Sequence, residues 1–323
     1  MQALCGAAAL ALLLLAGAAS AQTTYPDKQV RVLVGFAAGG PADIAARIVA
    51  DGLSEAWGKP FVVENVTGAA GNVSADRVAK SAPDAYTLTM AASSTIASNV
   101  SLYDKLPFDP VKDLAPISQV CFTPNILALN NDVPAKNLQE LVALARARPG
   151  ELTFGSAGVG TSQHLSGELF KAMAGVSLQH VPYRGIAQVM PDVLGGRLTM
   201  TFGNISAVLP LMRENKLRGM AVTSIKRSAS VPNLPTMAEQ GYPGFDATAW
   251  FGLFAPAGTP APIIAKLHAE TAKILERPAV REKFATLGME VIGNTPAQFA
   301  DVIKAEIPVW AKVIKTAGVK ATE

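Results

Sequence analysis

The chain has 323 residues, half of them hydrophobic and 16% charged, with a formal net charge of +3. That is enough apolar material for a large core and, on length, for two domains. The slight charge and scattered basic residues exclude the footprint of a nucleic-acid binder.

Residues 1–21 read as a secretory signal peptide. The apolar core Leu10–Leu15 is too short to span a bilayer and precedes Ala19-Ser20-Ala21, an A-x-A cleavage pattern. The mature chain then starts near Gln22, although no Lys or Arg precedes Lys28, so the basic n-region is missing. Cys5 leaves with the signal and Cys121 stands alone, which forbids an intrachain disulfide. The mature protein is expected to be exported and soluble.

Val30–Phe36 is a near-continuous apolar run, the pattern of a buried strand. Ala37-Ala38-Gly39-Gly40 follows as a turn almost free of side chains, and Pro41 stands where a helix begins. Ile44, Ile48, Val49 and Leu53 mark one face of that helix. Its N-terminus carries unpaired N–H groups and the positive end of the macrodipole, ready for a carboxylate or phosphate. Phe61–Asn65 is a strand, Gly68–Asn72 a second glycine turn, and a helix with Val73 and Val78 ends before Pro83-Asp84. Tyr86–Met90 is a strand ending in Ser93-Ser94-Thr95, hydroxyls at the end where ligands collect in open α/β sheets.

Residues 101–116 are irregular and proline-rich. Strand-like Ile117–Phe122 and Asn125–Leu129 flank Pro124, where the first crossing between lobes is placed. A helix at 137–148 precedes a strand at 151–155. Ser156-Ala157-Gly158-Val159-Gly160-Thr161 then repeats the glycine turn into a helix at 161–174. Two anion-ready helix starts, far apart in sequence, suggest two lobes facing one ligand. Strands at 178–181, 197–202 and 217–223 lead to a return crossing near Ser224–Ser230. Trp250–Ala255 is a strand, and helices follow at 260–276 and 278–287. The closing helix is capped by Thr295 and carries Phe299, Val302, Ile303, Ile307, Trp310 and Ile314 inward, with a kink expected at Pro308. Strand–helix alternation predicts an α/β fold with mainly parallel sheets. The lobes are expected at 22–122 plus 228–323 and at 123–227.

The three histidines are widely spaced and no calcium or cysteine-pair pattern exists, so neither a metal nor a cofactor is expected. There is no GxSxG elbow and no phosphate-binding GxxxxGK[ST] loop. Ser162 and His164 are two apart on a helix and diverge, so no nucleophile pair is expected there. His164 reads as a cap, a ligand contact or a packing residue. Phe36, Tyr183 and Trp250 suit a ligand wall or the core equally.

The chain resembles the Bug-type receptors of tripartite tricarboxylate transporters along essentially its whole mature length. Val34–Arg47 (VGFAAGGPADIAAR), Val62–Asn72 (VVENVTGAAGN), Phe108–Pro116 (FDPVKDLAP), Ser156–Phe170 (SAGVGTSQHLSGELF), Val181–Gly185 (VPYRG), Leu217–Arg227 (LRGMAVTSIKR) and Trp250–Pro260 (WFGLFAPAGTP) carry the likeness. The resemblance implies a two-lobed, type II-like periplasmic binding protein with two hinge crossings, not an enzyme. It implies a small carboxylate ligand, delivery to membrane subunits, and a monomer. In this family the carboxylate is held by loop amides, hydroxyls and bridging waters. By position that role falls on Phe36, Ala38, Gly39, Gly40, Ala42 and Asp43, and on Ser156, Ala157, Gly158 and Thr161. Ser93, Ser94, Thr95, Tyr183 and Asn204 are the expected pocket walls. Asn65-Val66-Thr67-Gly68 replaces the usual Asn-Arg-Pro-Gly, Gly185–Asp192 lacks the usual Ser-x-Pro-Ala pattern, and Arg184 stands where Lys is commoner. A sensor for a membrane kinase and an exported hydrolase using Ser156 or Ser162 are the rival classes.

Overall fold

The computed structural model describes residues 25–320; the expected signal peptide, its cleavage site and Cys5 lie outside the described residues. In chain order the elements are β1 (Val30–Val34), α1 (Pro41–Trp57), β2 (Phe61–Asn65), α2 (Asn72–Ala79), β3 (Thr87–Ala92), α3 (Asn99–Leu102) and β4 (Leu114–Asn130). Then come α4 (Leu138–Ala147), β5 (Thr153–Ser156), α5 (Ser162–Ala174), β6 (Gln179–Pro182), α6 (Ile186–Leu194), β7 (Met200–Asn204), α7 (Ile205–Arg213) and β8 (Leu217–Val222). The chain finishes with β9 (Thr248–Pro256), α8 (Ala261–Glu276), α9 (Pro278–Thr286), β10 (Glu290–Val291) and α10 (Pro296–Ala317).

The strands run in the order β2-β1-β3-β9-β4-β7-β5-β6, with β8 and β10 also paired to β4. Parallel pairing, expected from the alternation, joins β2, β1 and β3 on one side and β7, β5 and β6 on the other. The long central strands β4 and β9 pair antiparallel with their neighbours. β4 is one strand of 17 residues, not two. Pro124 is tolerated because it sits at the junction: Pro124 opposes Thr248 of β9, while Asn125 opposes Asn204 of β7. One strand therefore serves both lobes.

The second crossing is tied to the first at that junction. Asn125 N donates to Thr223 Oγ1 at 3.0 Å, and Thr223 N returns a bond to Asn125 O. Thr223 Oγ1 donates to the Ala247 carbonyl at 2.6 Å. The stretch 228–247, assigned by sequence to the first lobe, packs Met237, Phe245 and Ala247 into a core with Leu127, Phe154 and Phe202.

Two helices missing from the sequence reading, α6 and α7, each carry an internal proline, Pro191 and Pro210. A proline near the end of a nine-residue helix removes one backbone bond while the flanking apolar face still packs. Ile186 and Val189 of α6, and Ile205 and Val208 of α7, are fully buried.

α10 begins at a complete capping box, Thr295 with Gln298, and continues through Pro308. Its first half inserts Phe299 and Ile303 into a core with Trp250 and Phe254, and its second half inserts Trp310 and Ile314 beside Phe170. Val302 and Ile307 are only partly covered. Phe299 is fully buried with its ring 5.0 Å from those of Trp250 and Phe254. We expect Phe299→Ala to cost about 3–5 kcal/mol, the range for deleting a buried phenyl ring. The midpoint of urea unfolding would report it, and a shift equivalent to under 1 kcal/mol would contradict this packing.

Candidate functional site

The two lobes touch across a cleft. Ala37 N, in the turn before α1, donates to the Arg184 carbonyl at 3.2 Å, and the space at Gly185 is closed by Ala37. Between them lies an inner cavity of about 30 Å³, room for a group of a few atoms. Four helix N-termini converge on it: Gly40–Ala42 of α1, Thr161–Gln163 of α5, Gly185 and Ile186 of α6, and Asn204 before α7. Phe36, Ile186 and Phe251 supply apolar wall, and Ser93 and Ser94 supply hydroxyls. Among the described residues, no Lys, Arg, Asp or Glu lines it. Four helix starts, the positive ends of their dipoles, facing an uncharged and largely buried space favour a small anion.

A second cavity of about 160 Å³ shares Phe36 and Ala157 with the first and is bordered by Gly68–Ala70, Tyr103, Gly158, Tyr183 and Arg184. The Tyr183 hydroxyl donates to Asp192, which also accepts from Arg197. Burial and that bond push the tyrosine pKa up to about 12.

The sequence-derived residues divide. Phe36, Gly40, Ala42, Ser93, Ser94, Ala157, Thr161 and Asn204 line the inner cavity, whereas Gly158 and Tyr183 line only the outer one. Ala38 and Gly39 are exposed. Asp43 does not line either cavity; its carboxylate is bound by Arg47 at 2.9 and 3.0 Å, by Asn65 Nδ2 at 2.9 Å and by Gly39 N at 3.0 Å. Burial alone would raise its pKa, but these hydrogen bonds hold it below the usual carboxylate range. Asp43 shapes the turn. Thr95 Oγ1 donates to the Ala70 carbonyl, a bond that fixes the second glycine turn.

Ser156 and His164 belong to a supporting cluster. Ser156 Oγ lies 2.6 Å from His180 Nε2 and accepts from Gly158 N at 3.1 Å. His164 Nδ1 accepts from Gly160 N at 3.0 Å, and its ring stacks on His180 at 3.9 Å between centroids. Burial is the main reason both imidazoles are neutral; it lowers their pKa values to about 3 for His164 and about 4 for His180. Trp250, an open question in the sequence, is core, donating from Nε1 to Glu306 at 2.7 Å. Its neighbour Phe251 is the wall.

Sequence reasoning missed Gln163, Gly185, Ile186, Ala249 and Phe251. Gly185 carried a signal, a glycine before an apolar run, but Pro191 concealed the helix. Gln163 carried none.

The profile described as the receptor of the tripartite tricarboxylate transporter family matches residues 45–319. Protein BugT of Bordetella pertussis is 39% identical over 298 residues, covering 92% of this chain and 91% of that protein. The structure of Rpa4515 from R. palustris with adipate is 38% identical, with a TM-score of 0.89 over 92% of this chain and 99% of that one. MatC from Rhodopseudomonas palustris with bound malate is 33% identical, with a TM-score of 0.86 over 90% of this chain and 100% of that one. The cleft between two lobes and the likeness along the whole described chain agree. The chain belongs to the tripartite tricarboxylate transporter receptor family, as a Bug-type solute-binding protein.

Proposed function

We propose that this protein is a periplasmic receptor that closes on a small carboxylate and presents it to the membrane subunits of a tripartite transporter. The observation that carries the reading is the meeting of four helix N-termini at one cavity without a charged side chain. Relatives with adipate and with malate bound support a carboxylate as the ligand. Hydrogen bonds to a charged group contribute roughly 1.5–3 kcal/mol each, and a helix terminus about 0.3–2 kcal/mol. Four to six such contacts reach the roughly 8 kcal/mol of micromolar affinity after association costs. A ligand that touches both lobes favours the closed form by its differential contacts. Export would follow cleavage near Gln22, leaving a receptor with no resident cofactor.

The test is a thermal-shift screen against dicarboxylates, tricarboxylates, aromatic acids and acidic amino acids. Ligand that binds only the folded state raises the melting temperature, by an amount that grows with concentration. A hit recovered chemically unchanged supports the receptor. A folded protein that responds to no acid in the panel contradicts the carboxylate reading, and conversion of a hit to product replaces it with an enzyme.

A further inference from the structure

Gln163 ends a chain of oriented side-chain amides that begins at the hinge backbone. The Ala247 carbonyl accepts from Asn125 Nδ2 at 3.2 Å. Ser166 Oγ accepts from the same nitrogen at 3.1 Å while donating to Ser162 O at 2.7 Å. A carbonyl only accepts, so the Asn125 amide has one orientation. Its Oδ1 then accepts from Asn204 Nδ2 at 2.8 Å, and Asn204 Oδ1 accepts from Gln163 Nε2. Each amide fixes the next. What remains at the far end is Gln163 Oε1, buried and without a hydrogen-bond partner among the described residues, on a side chain that lines the inner cavity and is 5% exposed.

The helix starts offer the cavity fixed donors, and the Ser93 and Ser94 hydroxyls turn to either role. Gln163 Oε1 is a fixed acceptor. A buried amide oxygen left unpaired is costly, so a ligand that brings it a donor gains a bond and removes a penalty. A carboxylate cannot, because it only accepts. An ammonium can, but it enters a cavity lined by no carboxylate and leaves its charge uncompensated. A neutral hydroxyl meets both conditions.

We propose that Gln163 is the specificity-determining residue of this cleft and that the ligand is a hydroxycarboxylic acid. Its carboxylate lies on the helix amides and its hydroxyl donates to Gln163 Oε1. This rests on the carboxylate reading above. Discrimination of this kind is large because it compares a satisfied buried group with an unsatisfied one.

The test is calorimetric titration with succinate, malate and aspartate, a four-carbon diacid and its hydroxy and amino derivatives. Lactate and propionate form a second pair. The hydroxy acid is expected to bind at least tenfold more tightly than its deoxy partner. In Gln163→Met that ratio should fall to within about twofold, because the acceptor is gone. Gln163→Glu keeps the shape of the side chain and should shift preference toward aspartate. Ratios within one variant are read, so a general loss of stability does not mimic the effect. A ratio unchanged in Gln163→Met, or a wild-type preference for the deoxy acids, overturns the proposal while leaving the carboxylate reading intact. Absence of binding by all five acids to folded protein overturns the proposal, whereas the carboxylate reading falls only if the whole acid panel also gives no response.

Discussion

Gly185→Val should weaken carboxylate binding by at least a hundredfold while leaving the ligand-free protein folded. Gly185 caps α6 and lines the inner cavity. Its backbone is extended, at φ 175°, so any side chain fits it locally. The obstruction comes from across the cleft: a Cβ there would stand 2.8 Å from Ala37 Cβ and 3.2 Å from Ala37 N. Valine branches at that carbon, so it holds the lobes apart and breaks the Ala37 N–H bond to the Arg184 carbonyl. A ligand then reaches the helix starts of one lobe only. Losing two charge-assisted bonds accounts for about 3 kcal/mol, more than a hundredfold in affinity. The helix cap itself should lose about 1 kcal/mol or less, a few degrees in melting temperature. Titration of a ligand from the screen, with small-angle scattering of ligand-saturated protein, checks both halves. Wild-type affinity in this variant would show that the cavity does not lie between the lobes.

Acidification from neutrality to pH 5 should destabilise the protein through two buried histidines. His164 and His180 have folded pKa values of about 3 and about 4, against 6.5 for an exposed imidazole. The unfolded chain therefore binds more protons than the folded one between those limits. Their contribution is complete above pH 6.5 and is lost as pH falls through it, at about 1.4 kcal/mol per pH unit for each ring. By pH 5 the two together account for about 4 kcal/mol. Glu168 Oε1 faces His164 at 3.7 Å and would favour protonation, but Lys171 holds that carboxylate at 2.7 and 2.8 Å. Urea unfolding at half-unit steps from pH 8 to 5 measures the slope, and the double variant His164→Leu, His180→Leu should flatten it. An unchanged slope would assign the acid sensitivity to other groups. Because both rings brace the Ser156–Gly160 turn, the same protonation should loosen ligand binding.

Local elements were legible in the sequence wherever an apolar period and its punctuation agreed. The run Val30–Val34, the bare glycine turn and Pro41 specify a strand, a turn and a helix start, and those residues form them. Thr295, Pro296 and the apolar face of the last helix are equally local. Where a local rule met a stronger tertiary term, the reading failed. Pro191 and Pro210 argue against helices that buried Ile186, Val189, Ile205 and Val208 nevertheless stabilise. Pro124 divides a strand on paper, whereas antiparallel partners on both sides keep it whole.

By itself, the sequence determined the strand–helix alternation, the three glycine turns and the helix starts that follow them, because these depend on residues within one or two turns of each other. The segments that carry the family likeness lie in the same places. Only the tertiary structure decided which groups meet. Asp43 turns from the cavity to Asn65, and His164 stacks on a histidine sixteen residues away in sequence. Gln163 is joined through Asn204 and Asn125 to the carbonyl of Ala247. Hydrogen-bond partners so far apart in sequence leave no periodic trace, so their pairing appears only when the fold brings their strands and helices together.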